Sequence, residues 1–174
     1  VTINGKQMPT NSILKEEIIK QIRLVVHPNQ QQLDEGDLKL LDIALEATQK
    51  AYAPYSDFHV GAAIRLANGE IMQGCNQENA AFPSGLCAER VAFFAAGVQF
   101  PGIGIESLAI TIRSTTKADH DPATPCGACL QVMRDVEQRQ GQPIRILLKG
   151  SGAAVYEAES VATFLPFSFS LLRK

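Results

Sequence analysis

Two cysteine boxes constrain this chain more than any other feature. The first reads Cys87-Ala88-Glu89-Arg90 and the second Pro125-Cys126-Gly127-Ala128-Cys129, and together they hold three of the four cysteines. Each box runs into a helical pattern, so each cysteine group is expected at a helix N-terminus. That placement has a chemical consequence. Free N–H groups and the positive end of the helix dipole lower a thiol's pKa, and a metal ligand must be a thiolate. Cys126 and Cys129 stand three apart, on one side of a first helical turn. A fold that closes Cys87 onto this pair provides three protein ligands for zinc. Three ligands leave the fourth tetrahedral position to water, which is the catalytic arrangement and not the structural one. Glu89, two residues past Cys87, is then placed beside that position as a proton carrier without being a ligand.

A ligand, one residue, a glutamate and later P-C-x-x-C is the pattern of the zinc deaminases, and this chain resembles their three-cysteine form. The competing reading is a closed structural zinc site. It needs a fourth ligand, and Cys75, His59 and His120 are the candidates; Cys75 otherwise reads as a small buried thiol at a strand's end. Charge narrows the partners. The net charge is −2 and the pI is near 5.9, whereas nucleic-acid binders carry a clustered basic excess. No RNA or DNA partner is therefore expected. No apolar run is long enough for a membrane span and no signal-peptide pattern stands at the start, so a cytoplasmic protein with no membrane partner is expected. Four cysteines in such a chain read as metal or core thiols before disulfides. At 174 residues and 45% hydrophobic, the chain has the size and core of one domain.

Taken in order, the first segment is the least informative: residues 13–26 fit helix and strand equally. Residues 29–36 read as a connection, and His27 as a surface histidine. Asp37 is placed as the cap of a helix that carries Leu38, Leu41, Ala44 and Leu45 through about Tyr52, where Pro54 stops it. Val60 to Leu66, the Asn68-Gly69 turn and Glu70 to Cys75 form a hairpin. The polar run Asn76-Gln77-Glu78-Asn79-Ala80 follows at a strand's end, a place suited to hydrogen-bonding a small ligand. His59 points opposite to Phe58 by alternation, away from the site. A helix opens near Cys87. Ile105 to Ile112 is a strand covered on both faces. Thr115 to Thr124 is a polar loop, and the second box opens a helix to about Gln138. Ile144 to Leu148 is another buried strand and Ala153 to Ala158 an edge strand. The apolar tail Phe164 to Phe169 should dock on something. The sum is a three-layer α/β/α sandwich with a mixed five-stranded sheet. Residues 1–36 stand outside it as an extension, and residues 37–174 form the catalytic domain.

From Leu38 to Phe169 the chain resembles the homo-tetrameric cytidine deaminases of nucleoside salvage. The resemblance rests on Y-S-x-F-x-V-G-A-A, G-C-N-x-E-N-A, C-A-E-R, P-C-G-x-C and a terminal L-P-x-x-F, in that order. It implies that Cys87, Cys126 and Cys129 hold one Zn²⁺ per chain and that Glu89 is the proton shuttle. It implies that Asn76 and Glu78 bind the ribose, that Phe58 lines the pocket and that the backbone at Ala88 meets the base. Ala80 and Phe82 would belong to the outer wall, and Phe169 would stack on the base held by a neighbouring subunit. The implied reaction is hydrolytic deamination of cytidine and deoxycytidine in pyrimidine salvage. Arg90 is the candidate to draw charge off the thiolates. The chain departs from the family at Leu130, where Arg usually precedes Gln131, and in its N-terminal extension. The runner-up activity is on a nucleoside antibiotic such as blasticidin S, against which the N-x-E-N-A box and the tail speak. A non-enzymatic binding module is opposed by the intact Glu89.

Overall fold

The computed structural model describes residues 2–3, 6–7, 17–113 and 122–171. In chain order its elements are β1 (Thr2–Ile3), β2 (Lys6–Gln7), β3 (Val25–His27), α1 (Glu35–Ala47), β4 (His59–Leu66), β5 (Ile71–Cys75), α2 (Ala88–Gln99), β6 (Ile105–Arg113), α3 (Gly127–Gln140), β7 (Arg145–Lys149) and β8 (Val155–Ala158). β1 and β2 pair only with each other. The other strands form one sheet in the order β3-β8-β7-β6-β4-β5, with β6 and β7 parallel and every other pair antiparallel.

Burial of β6 explains the layers. Its residues alternate between two apolar clusters, so both faces of the strand must be covered. Leu108 and Ile110 join Ala62, Ile64, Ile146 and Leu148 on the face beneath α2 and α3. Ala109 joins Ala63 and Leu147 on the opposite face, where Leu40, Leu41 and Ala44 of α1 pack. The result is the expected α/β/α sandwich. α3 ends where Gly141 takes φ 68°, a left-handed cap that favours glycine. Among the described residues no helix is long and apolar enough to cross a membrane.

The structure differs from the sequence reading in five places. The sheet has six strands and not five, because Val25–His27 pairs antiparallel with β8. Residues 155–158 are consequently an inner strand, lying between β7 and β3, and not an edge. His27 is not a surface histidine: its side chain is largely buried and its Nε2 lies 2.7 Å from Glu157 Oε2. The cap of α1 is Asp34, whose Oδ1 accepts from Asp37 N at 2.8 Å. Asp37 is inside the first turn and buried, and its Oδ2 accepts from Arg145 Nη1 at 2.8 Å. α1 also stops at Ala47, and a 3₁₀ turn over Thr48–Lys50 carries the chain on toward Tyr52. His120 and most of its expected polar loop lie outside the described residues.

Candidate metal centre and active site

Both cysteine boxes open helices as expected. Cys87 is the N-cap of α2 and Cys126 the N-cap of α3, and both have extended backbone angles. Neither side chain caps its own helix, so each sulfur is free to point at the other helix. The two helices share one face of the sheet, which brings the ends together. α2 can lie close because its inward residues are small. Ala88, Ala92 and Ala96 face the sheet, and Gly74 of β5 lies directly under them. A Cβ on Gly74 would stand 2.3 Å from Ala88 O.

The sulfurs of Cys87, Cys126 and Cys129 all lie within 4.8 Å of one another. Zinc bound tetrahedrally at about 2.3 Å per sulfur sets them about 3.8 Å apart. The observed separations are 3.8 Å between Cys87 and Cys126 and 3.5 Å between Cys126 and Cys129. Spacing and donor chemistry therefore both fit the metal. Among the described residues this is the group of possible metal ligands, and neither Cys75 nor His59 belongs to it. Cys75 Sγ instead accepts from Gln77 Nε2 at 3.2 Å, and His59 Nε2 lies 3.2 Å from Asp57 Oδ1. No fourth described residue closes the site.

The sulfurs divide charge unequally. Hydrogen bonding from Cys129 pulls the Cys87 thiol down to about 5; burial opposes this and Arg90 adds to it. The same contact with Cys87, together with burial, pushes the Cys129 thiol up. Of these two, Cys87 is the thiol that ionises first. Arg90 Nη2 stands 3.9 Å from Cys87 Sγ and also donates to Gly85 O at 3.3 Å. Glu89 is 5% exposed. Burial raises its carboxyl above the ordinary range, and the charge on Cys87 raises it further. This carboxyl holds a proton more readily than a solvated one.

A cavity of about 570 Å³ opens at this point, within the usual range for a small-molecule site. Cys87, Ala88, Glu89, Arg90 and Cys126 form one end, and Ile110 and Leu86 supply apolar wall. Asn76, Glu78 and Phe82 are among the residues lining the remainder. Asn76 is locked: its Nδ2 donates to Phe58 O at 2.9 Å and its Oδ1 accepts from Val60 N at 2.8 Å. Three residues were expected here and are not among those lining the cavity: Phe58, Ala80 and Phe169. Phe58 contributes its carbonyl to fixing Asn76. Phe169 lies by the outer groove between α2 and α3, with its ring exposed.

The sequence reading missed Tyr55 and Ser56. Glu78 accepts from Tyr55 N at 2.9 Å, from Ser56 N at 3.4 Å and from Ser56 Oγ. The Ser56 hydroxyl contact, then the Tyr55 amide, hold the Glu78 carboxyl below the usual carboxylate range. The Tyr55-Ser56 pair was visible in the Y-S-x-F motif, but nothing local linked it to Glu78. Leu130, the departure from the family pattern, is buried in the core, and the neighbouring Gln131 donates from Nε2 to Phe169 O at 3.0 Å.

Sandwich and site together define a deaminase-type α/β domain with a three-thiolate zinc centre. The sequence model described as "Cytidine and deoxycytidylate deaminase zinc-binding region" matches residues 34–140. A cytidine deaminase of Sporosarcina psychrophila is 38% identical over 133 residues, covering 76% of this chain and 90% of that protein. One of Halalkalibacterium halodurans is 40% identical over 97 residues, 56% of this chain and 69% of that protein. Among solved structures, a cytidine deaminase from Burkholderia pseudomallei superposes with a TM-score of 0.66 at 35% identity, covering 76% of this chain and 98% of that one. This chain belongs to the cytidine deaminase family. The family's zinc-binding region and the Cys87, Cys126 and Cys129 cluster fit one zinc per chain.

Proposed function

We propose that this protein catalyses zinc-dependent hydrolytic deamination of cytidine and deoxycytidine to uridine and deoxyuridine, in cytoplasmic pyrimidine salvage. The observation that carries the proposal is the buried Glu89 with Cys87 and Cys126 at the end of one cavity, where Cys129 completes the sulfur cluster. Zinc held by Cys87, Cys126 and Cys129 would supply water acidic enough to act as a nucleophile near neutral pH. Glu89 takes a proton from the attacking water and delivers it to N3 of the pyrimidine, which makes C4 electrophilic. The hydroxide left from that water adds to C4. Glu89 then takes the remaining hydroxyl proton and delivers it to the exocyclic amino group, the C4–N bond breaks, and ammonia departs to leave the C4 carbonyl of uridine. The backbone at Ala88 meets the base, and the walls at Leu86 and Ile110 keep bulk water away.

Asn76 and Glu78 are the ribose ligands in this reading. Their fixed hydrogen bonds orient them, and each retains hydrogen-bonding capacity beyond those contacts. Phe82 belongs to the outer wall. Phe169 completes the site of a neighbouring subunit in a homotetramer. The residue is 69% exposed and does not line its own chain's cavity, which supports a role in trans.

Zinc content and an absorbance assay on cytidine, deoxycytidine and blasticidin S test the activity together. The expected result is one zinc per chain and turnover of both pyrimidine nucleosides, with Cys126→Ala losing zinc and activity. Turnover of blasticidin S alone would replace the substrate assignment. Shared sites are tested by mixing Glu89→Ala and Phe169→Ala chains after dissociation. Mixed oligomers should regain activity above the average of the two parents, and failure to do so with exchange confirmed by mass removes the trans role.

A further inference from the structure

The aromatic tail is held by a segment that the family resemblance does not cover. Residues 17–24 run without regular structure into β3. β3 is fixed in register on β8, with Val25 opposite Glu157 and His27 opposite Val155. The contact of His27 Nε2 with Glu157 Oε2 adds a side-chain lock. From this anchor the segment reaches the tail at Lys20. Its Nζ donates to Pro166 O at 2.9 Å and lies 5.0 Å from the centre of the Phe167 ring. Residues 20–23 line one surface hollow together with Glu159, Ser160, Thr163 and Pro166. Beyond it, Gln131 of α3 holds Phe169 O.

The tail needs such ties. Phe164 and Leu165 still pack on the core, but Phe167 is 67% and Phe169 69% exposed. An exposed aromatic pair gains little from burial within its own chain. An ammonium has several donor directions and no acceptor, so one group can serve a carbonyl and a ring face together. Both contacts fall between the core and Phe169, where they set the direction in which the tail leaves.

We propose that Lys20 is a positioning residue that aims the tail and, through it, Phe169 at the neighbouring subunit's site. The second half rests on the trans role of Phe169 proposed above. Lys20 touches no reacting group. It acts through the Pro166–Phe167 segment of its own chain, so the N-terminal extension tunes a site on another subunit.

The test compares full-length wild type, Lys20→Met, Lys20→Arg, Phe169→Ala and the Lys20→Met/Phe169→Ala double variant. Lys20→Met keeps most of the stem and removes the charge. Hydrogen exchange of residues 164–171 reads the tether directly and should be faster in Lys20→Met and close to wild type in Lys20→Arg. KM for cytidine should rise roughly three- to tenfold in Lys20→Met, with zinc content and melting temperature unchanged and rescue in Lys20→Arg. In the Phe169→Ala background Lys20→Met should have no further effect on KM, because both act through the same ring. Unchanged exchange in Lys20→Met overturns the tether. Faster exchange with unchanged KM, while Phe169→Ala is impaired, overturns the positioning role. If Phe169→Ala itself matches wild type, the trans reading has failed, the catalytic half falls with it, and the exchange data alone decide the tether.

Discussion

Replacing Gly74 by alanine should damage the metal centre without touching a ligand. A Cβ at Gly74 would stand 2.3 Å from Ala88 O, 2.6 Å from Ala92 N and 3.1 Å from Ala92 Cβ. Two of these neighbours are backbone atoms of α2 and cannot rotate away. Relief requires the helix to move off the sheet by about 1 Å, the distance needed to restore ordinary contact. α2 carries Cys87 and Glu89, whereas Cys126 and Cys129 ride on α3, so the shift opens the sulfur triangle on one side. Overpacking of this kind costs about 1–3 kcal/mol. For a chain of this size that lowers the melting temperature by about 2–4 °C per kcal/mol. Misplacement of reacting groups by about 1 Å can cost about 10²-fold in rate.

Gly97→Ala is the control on the same helix. No atom lies within 4 Å of a Cβ there, and the residue is exposed. It should gain about 0.5–1 kcal/mol from helix propensity and keep activity. Thermal melts, bound zinc per chain and kcat/KM on cytidine should be measured for both variants. The expected pattern is lower stability, weaker zinc retention and a large rate loss for Gly74→Ala only. A Gly74→Ala protein that melts, binds zinc and turns over like wild type would show that α2 is not seated by this contact.

Three further outcomes follow from the site and its supports. Glu89→Gln should retain zinc and fold while turnover falls by about 10²–10⁴; wild-type turnover would remove Glu89 as the shuttle. Arg90→Ala should lose about 10–100-fold in zinc affinity or activity, because its guanidinium is the charge nearest Cys87 Sγ; a competition titration against a chromogenic chelator reads this, and unchanged affinity and rate would leave the helix ends sufficient. Burial raises the Glu157 carboxyl, but hydrogen bonds from His27 and Arg145 outweigh it and leave the group below its ordinary value. Its stabilising contribution is therefore complete above the unfolded carboxyl's pKa of about 4.3 and is lost as pH falls through the lower folded value. Acid melts should show this limb, Glu157→Gln should flatten it, and superimposable limbs in both proteins would refute the coupling.

What the sequence made legible was local. Cys126 and Cys129 occupy one turn, and Glu89 follows Cys87 at fixed spacing, so their chemistry shows in the residue order. The strands β4, β5, β6 and β7 were also readable, since each carries its own run of β-branched or apolar residues. What could not be read depends on partners far along the chain. Asp37 looks like a helix cap until Arg145 buries it. Three residues of β3 make a strand only because β8 offers them an edge. Tyr55 and Ser56 acquire a role only when folding brings Glu78 against them. The motif puts Phe58 in the pocket, whereas in the fold its carbonyl accepts from Asn76.

The three-thiolate ligand set poses a charge problem that this arrangement partly turns to use. Three thiolates and Zn²⁺ together carry one negative charge, which weakens the metal as a Lewis acid. Two helix N-termini and Arg90 counter that charge, but not evenly. Arg90 lies on Cys87, while Cys129 is fully buried among core residues at the start of α3. Burial raises the Glu89 carboxyl, and the charge on Cys87 pushes it in the same direction. A carboxylate with raised proton affinity is the stronger base, and base strength is what removal of a proton from water demands. The ligand set that makes the metal a weaker acid therefore makes its neighbour a stronger base. On this argument Arg90 adjusts the balance between the two: removing it should burden the metal with more charge and raise the Glu89 carboxyl still further.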